Sequence, residues 1–220
     1  MPRKNVRPMC GKPLIAFTIE TALRCRVLDR VIVTTDDAEI RDVALRYGAE
    51  VPFLRPPELA TDRASKWPVL RHAVGFLEKT EGYRCDVVVD LDPTSPLREA
   101  DDIEGCLHML ADEKADVVIT VYEAPRNPYF NMVEYDGDVV RLSKPPTGPV
   151  ACRQEAPAVY AMNASIYAMR RDFLMEGDGL FAGRTKAYLM PPERSFDIDH
   201  ELDFEIVEFL MRRKLAQPRG

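Results

Sequence analysis

The sequence predicts an α/β fold in which a mostly parallel sheet carries helices on both faces. Three observations lead there. Short β-branched runs alternate with segments of helical period through residue 121, a proline-rich stretch breaks that rhythm from 122 to 160, and strand- and helix-like segments then resume. Alternation of this kind belongs to a sheet covered by helices. A chain of 220 residues suits one domain with a modest insertion. The expected division is a core of residues 1–121 and 161–220, with residues 122–160 inserted.

Pro13 suits the first position of a helix that carries Leu14, Ile15, Ile19, Ala22 and Leu23 at helical spacing. The run 30–35 reads as a strand, after which Asp36 is placed to cap a helix holding Ile40, Val43, Ala44 and Tyr47 and closed by Gly48. A strand at 51–54, a helix at 68–78, a strand at 86–91, a helix at 101–110 and a strand at 116–121 continue the series. Pro125, Pro128, Pro145, Pro146, Pro149 and Pro157 then interrupt it, and Asp136-Gly137 between 131–135 and 138–142 signals a hairpin. Strands at 163–169 and 186–190 return to the sheet. Leu202, Ile206, Phe209 and Leu210 mark one face of a terminal helix.

Thirty basic and 36 acidic side chains give a net charge of −6, which argues against non-specific nucleic-acid binding. No apolar run approaches the ~20 residues of a membrane span, and no signal-peptide core follows Met1, so the expectation is a cytoplasmic protein without a membrane partner. The five cysteines have no C-x-x-C spacing and read as packing residues. His72 and His108 lie in predicted helices without partners at metal spacing, and His200 beside Asp199 suits a cap-region surface.

Three features bear on chemistry. Lys4 and Asn5, then Gly11-Lys12-Pro13, place cations and a glycine ahead of a helix N-terminus, a setting that favours anions. Asp90-Leu91-Asp92-Pro93-Thr94-Ser95-Pro96-Leu97-Arg98 leaves the most apolar strand through a rigid polar turn, where ligands of open α/β sheets bind. Asp197 and Asp199 stand two apart in an extended segment, so both carboxylates face one side and could hold a hard cation that bridges phosphates. A helix cap is the competing reading for Asp199, since Glu201 and Asp203 follow it.

Taken in order, these pieces resemble the acylneuraminate cytidylyltransferases, which activate nine-carbon sugar acids as CMP conjugates. The resemblance runs through Pro2-x-Lys4-Asn5, Gly11-Lys12-Pro13-Leu14-Ile15, Arg30-Val31-Ile32-Val33-Thr34-Thr35-Asp36 and Arg55-Pro56-x-Glu58-Leu59-Ala60-x-Asp62. It continues through Pro93-Thr94-Ser95-Pro96-Leu97-Arg98, Arg153-Gln154-x-x-Pro157 and Asp197-Ile198-Asp199-x-x-x-Asp203. It implies a Rossmann-like nucleotidyltransferase core, CTP and a nonulosonic acid as substrates, Mg2+ as cofactor, a role in cell-surface glycan biosynthesis, and a homodimer whose inserted hairpin reaches the neighbouring site.

By the same resemblance, Lys4, Asn5, Arg55, Ser65, Pro93, Thr94 and Ser95 would line the nucleotide site. Asp197 and Asp199 would hold magnesium and, with Lys4, act in catalysis. Asp92, Arg153, Gln154, Tyr160 and Asn163 would face the sugar acid, with the Arg153 guanidinium on its carboxylate. The chain also departs from the family pattern. Relatives carry an apolar strand and a phosphate loop before Pro-x-Lys-Asn, whereas Met1 falls after that point; the expectation is either a start further upstream or an impaired, non-catalytic sugar-nucleotide binder. Asp92 replaces a glutamine, as an added metal ligand or a reader of a different sugar group. Asn127-Pro128-Tyr129-Phe130-Asn131-Met132-Val133 looks like the legionaminic-acid branch, and Ala161-Met162-Asn163-Ala164 keeps only the Asn of Arg-Pro-Asn-Gly. A transferase for the eight-carbon acid of lipopolysaccharide is a further alternative with the same metal logic. In the leading reading, no covalent nucleophile is needed: positioning and charge neutralisation drive a single displacement.

Overall fold

The computed structural model describes residues 1, 3–61, 65–146, 148 and 152–216. Pro2, Asp62 and Pro149, named above, lie outside them. The chain forms helices α1 (Leu14–Arg24), α2 (Ala38–Arg46), α3 (Lys66–Glu81), α4 (Ala100–Asp112), α5 (Arg171–Glu176) and α6 (Glu201–Ala216). Its strands are β1 (Pro8–Met9), β2 (Lys12–Pro13), β3 (Val87–Leu91), β4 (Val117–Glu123), β5 (Val133–Asp136), β6 (Val139–Leu142), β7 (Tyr160–Arg170) and β8 (Thr185–Leu189).

The central sheet has the order β3-β7-β4-β8. Strands β3, β4 and β8 run the same way and β7 runs against its two neighbours, so the sheet is mixed, with β4–β8 as its parallel ladder. Period-two alternation sorts the β4 side chains between two helical layers. Val118 packs with Ile103, Cys106 and Leu110 of α4, while Val117, Ile119 and Val121 pack with Val74 of α3 and Leu174 of α5. Helices therefore cover both faces, as expected.

Two local expectations change. Residues 30–35 and 51–54 form no strands: a single parallel bridge joins Ile32 to Glu50, with Val33 N–H donating to the Glu50 carbonyl and Glu50 N–H to that of Val31. Asp37, not Asp36, caps α2, its Oδ1 accepting the N–H groups of Glu39 and Ile40 at 2.7 and 3.2 Å. The cap must sit just ahead of the first helical residue to reach those donors. The inserted hairpin is β5–β6, paired Asp136↔Val139 around Gly137, whose φ of 69° is the left-handed value its turn requires. All eight of its strand residues are exposed.

A second core positions the C-terminal loop. Met9, Leu14, Phe17 and Leu97 enclose Ile198 together with Phe204, Val207 and Met211 of α6. Full burial of the Ile198 side chain contributes about 1.5–3 kcal/mol.

Candidate active site

That buried isoleucine stands between two aspartates. With Ile198 fully buried, its neighbours differ in environment: Asp197 is half-buried and Asp199 is exposed. Lys4, in a short 3-10 turn (Lys4–Val6), donates from Nζ to the Ile198 carbonyl and stands 3.8 Å from Asp199 Oδ1. Ile198 N–H in turn donates to the Thr94 carbonyl at 3.0 Å. Lys4, the 93–96 turn and the 197–199 loop thus meet at one place. Asn5 lies half-buried beside Lys4.

Asp203, and not Asp199, serves as the acceptor at the start of α6. Its Oδ2 takes the N–H groups of Asp199 and His200 at 3.0 and 2.7 Å, which holds its carboxyl below the usual range. The Asp199 carboxylate is left exposed beside Lys4. Asp197 Oδ1 is buried without a hydrogen-bond partner. A buried carboxyl oxygen without a hydrogen-bond partner is costly, and a carboxylate oxygen is the donor type that a hard divalent ion takes. Asp197 and Asp199 therefore fit as holders of such an ion. Among the described residues no group of three or more His, Cys, Asp and Glu side chains converges as a metal site.

A second charged group lies at the C-terminal end of β3. Lys66, at the start of α3, places Nζ 3.1 Å from Asp90 Oδ2 and 2.5 Å from Asp92 Oδ2, and 4.9 Å from the Tyr167 ring centroid. Burial pulls the Lys66 ammonium down, but the two carboxylates outweigh it and raise its pKa to about 12. Burial pushes the Asp90 carboxyl up, opposed by Lys66 and reinforced by Asp92. Asp92, the departure singled out in the sequence, is thus engaged with Lys66. The charges of Asp90, Asp92 and Asp197 all act on Tyr167 and on Arg98.

Arg98 supports this region from below. It is 1% exposed, donating to Ser165 Oγ and Thr18 Oγ1 at 3.0 Å each and to the Asp92 carbonyl. Burial lowers its pKa to about 10, against the nearby aspartates. Arg194 holds the approach to the loop by a two-point contact with the fully buried Asp102, Nε–Oδ2 3.0 Å and Nη2–Oδ1 2.8 Å.

Other expected residues are placed differently. Arg55 donates to the Thr34 carbonyl and, at 3.3 Å, to Thr34 Oγ1; burial lowers its pKa, opposed by Asp36 and Asp90. Ser65 is exposed at the start of α3, one residue before Lys66. Pro93 and Thr94 are half-buried, but Ser95 is fully buried with Oγ on the Asn163 carbonyl at 3.3 Å. Asn163 is also buried, its amide bonded within the protein. Arg153 donates to the Ala124 carbonyl at 3.0 Å near Glu123; Gln154 and Tyr160 are exposed. None of these last three hydrogen-bonds or ion-pairs with Lys4, Asp92 or the 197–199 loop among the described residues. Lys66 and Tyr167 carried no site expectation from the sequence, whereas Asp90 opened the strand-end turn singled out there and shares its period of two with Asp92.

Comparison with known proteins decides the family. The model of a family described as cytidylyltransferase matches residues 1–217. The chain belongs to that family. This cytidylyltransferase is 41% identical over 219 residues to post-translational flagellin modification protein B of Campylobacter coli, covering 98% of this chain and 91% of the relative. It is 40% identical over 218 residues to the CMP-N,N'-diacetyllegionaminic acid synthase of Campylobacter jejuni, again 98% and 91%. A solved CMP:2-keto-3-deoxy-manno-octonic acid synthetase complexed with CTP superposes with a TM-score of 0.68 over 97% of this chain and 93% of that one, at 20% identity, a likeness of fold. The expected family and its legionaminic branch are both borne out.

Proposed function

We propose that this cytidylyltransferase moves CMP from CTP to the anomeric hydroxyl of a nonulosonic acid of the legionaminic type. The observation that carries the reading is the junction of Lys4, the 93–96 turn and the 197–199 loop, with Asp197 Oδ1 buried and unpartnered. The sugar's anomeric oxygen forms a bond to the α-phosphorus, the bond from that phosphorus to the β-phosphate oxygen breaks, pyrophosphate leaves, and the hydroxyl proton goes to a base in the site.

Asp197 and Asp199 would hold Mg2+, which supplies charge neutralisation for the phosphates. Lys4, beside Asp199, orients the 197–199 loop and adds positive charge where the leaving group gains negative charge. Asn5, Arg55 and Ser65 flank the nucleotide, and Asp92, with Tyr167 and Lys66, forms the polar wall toward the sugar. Arg153, Gln154 and Tyr160 sit at the base of the insertion and act on the sugar acid across a homodimer. The exposed apolar side chains of the hairpin support that assembly: Val133, Tyr135, Val139, Val140 and Leu142 project from a two-stranded ribbon too small to bury them. Among the described residues no helix is long and apolar enough to cross a membrane, and a cytoplasmic setting with a role in surface-glycan biosynthesis completes the reading.

The test is competition. With CTP and Mg2+ in excess, equimolar N,N'-diacetyllegionaminic, N-acetylneuraminic, pseudaminic and eight-carbon acids are offered together and the CMP conjugates resolved by mass spectrometry. The legionaminic conjugate dominates, by about 10–200-fold if apolar contacts alone discriminate. Dominance of another conjugate refutes the substrate assignment and leaves cytidylyl transfer standing.

A further inference from the structure

Strand β7 carries an irregularity beside the site. Ile119 pairs with Tyr167 but Val121 pairs with Met162, so residues 163–166 of β7 stand opposite Thr120 alone. Ala164 adopts a φ of 52° within this bulge, a left-handed value disfavoured for a residue with a Cβ. Bulges re-aim side chains, and this one turns Asn163 into the interior.

The Asn163 amide is fully used there. Its Oδ1 accepts the Thr120 hydroxyl at 2.6 Å and the Ser165 N–H at 3.2 Å; its Nδ2 donates to Ser195 Oγ at 3.0 Å and meets Met190 Sδ at 3.3 Å. Since a backbone N–H only donates, the Ser165 contact fixes which end of the amide is oxygen. Ser195 Oγ spends its own proton on the Pro191 carbonyl at 2.9 Å. The bonds then close a ring. Asn163 holds Ser195, two residues before Asp197; Ile198 N–H holds the Thr94 carbonyl; and Ser95 Oγ returns to the Asn163 carbonyl.

We infer that Asn163 is a positioning residue, whose amide in the β7 bulge sets the spacing between the 93–96 turn and the 197–199 loop and so aims Asp197 and Asp199. No hydrogen-bonding position of its side chain remains for substrate, which separates this role from sugar binding. The inference rests on the reading of Asp197 and Asp199 as metal holders. Its structural core is a buried polar network in which every member is satisfied, the condition under which such networks fix one arrangement.

The test measures Mn2+ binding to the protein alone, from the electron paramagnetic resonance signal of the free ion, with thermal unfolding in parallel. Ser195→Ala removes the acceptor without opening the core, Asn163→Ala removes the whole hub, and Ser195→Thr keeps the hydroxyl. Ser195→Ala and Asn163→Ala should each weaken Mn2+ binding about tenfold or more, as loss of groups that orient metal ligands does. The double variant should bind no more weakly than Asn163→Ala, and Ser195→Thr should restore affinity. Lowered melting temperature with unchanged Mn2+ affinity in Ser195→Ala overturns the inference, provided Asp199→Asn abolishes binding. Mn2+ binding that survives Asp199→Asn overturns the metal reading, and the inference with it.

Discussion

Replacing Arg98 by methionine isolates what supports the strand-end turn. Methionine fills most of the same volume, so the change removes a charge and three hydrogen bonds, to Ser165 Oγ, Thr18 Oγ1 and the Asp92 carbonyl, and opens little space. Bonds from a charged donor are worth about 1.5–3 kcal/mol each, and the groups left behind are buried: Ser165 is 0% and Thr18 6% exposed. Opposing this is the burial of the guanidinium itself, the force that lowers its pKa to about 10. The net expectation is a loss of about 2–4 kcal/mol, because stranded partners outweigh relief from a buried charge that was already hydrogen-bonded. For a chain of this size that lowers the melting temperature by about 4–16 °C. Urea unfolding measures the free energy, and a triple variant decides the cause. Arg98→Met with Thr18→Val and Ser165→Ala removes both hydroxyls along with their donor, and should recover most of the stability. A single variant within about 1 kcal/mol of wild type, or a triple variant as unstable as the single one, refutes the reasoning.

Asp199→Asn should abolish Mg2+-dependent pyrophosphate release with a melting temperature near that of wild type, since Asp203 carries the helix-start bonds; a lowered melting temperature with retained turnover would make Asp199 structural. Tyr135→Asp with Val140→Asp on the exposed hairpin should convert a dimer into a monomer by analytical ultracentrifugation, and wild-type protein already monomeric at micromolar concentration contradicts the assembly. The Lys66 pKa is raised from 10.5 to about 12 on folding, so its contribution to stability is complete below pH 10.5 and is lost as pH rises through about 12. Lys66→Met should therefore flatten the fall in unfolding free energy across that window relative to wild type; an unchanged slope means that Asp90 and Asp92 do not hold the ammonium.

What the sequence made legible was local. The alternation of periods located most helices and strands of the core, Asp136-Gly137 marked the hairpin turn, and the apolar Ile198 between Asp197 and Asp199 is buried in the core. Long-range pairing was not legible, because a strand's pattern does not state its neighbour: β7 runs between β3 and β4 against both, and residues 30–35 share only one bridge. Residue roles suffered for the same reason. Lys66 reaches Asp90 and Asp92 across a helix and a strand, and Arg98 and Asn163, which look like polar loop or strand residues, are buried because partners distant in sequence satisfy them. Asp37 outranks Asp36 as a cap by one position, a difference that backbone geometry decides and composition does not.

Pyrophosphate release tests the central claim most directly. The protein is assayed with CTP, Mg2+ and N,N'-diacetyllegionaminic acid, each omitted in turn, and with ATP, GTP or UTP in place of CTP. Release should require all three components and CTP in preference to the other nucleotides, with one CMP conjugate formed per pyrophosphate. Absence of release with every nonulosonic acid, or release that is independent of the acid, would contradict CMP transfer by the Lys4, 93–96 and 197–199 junction.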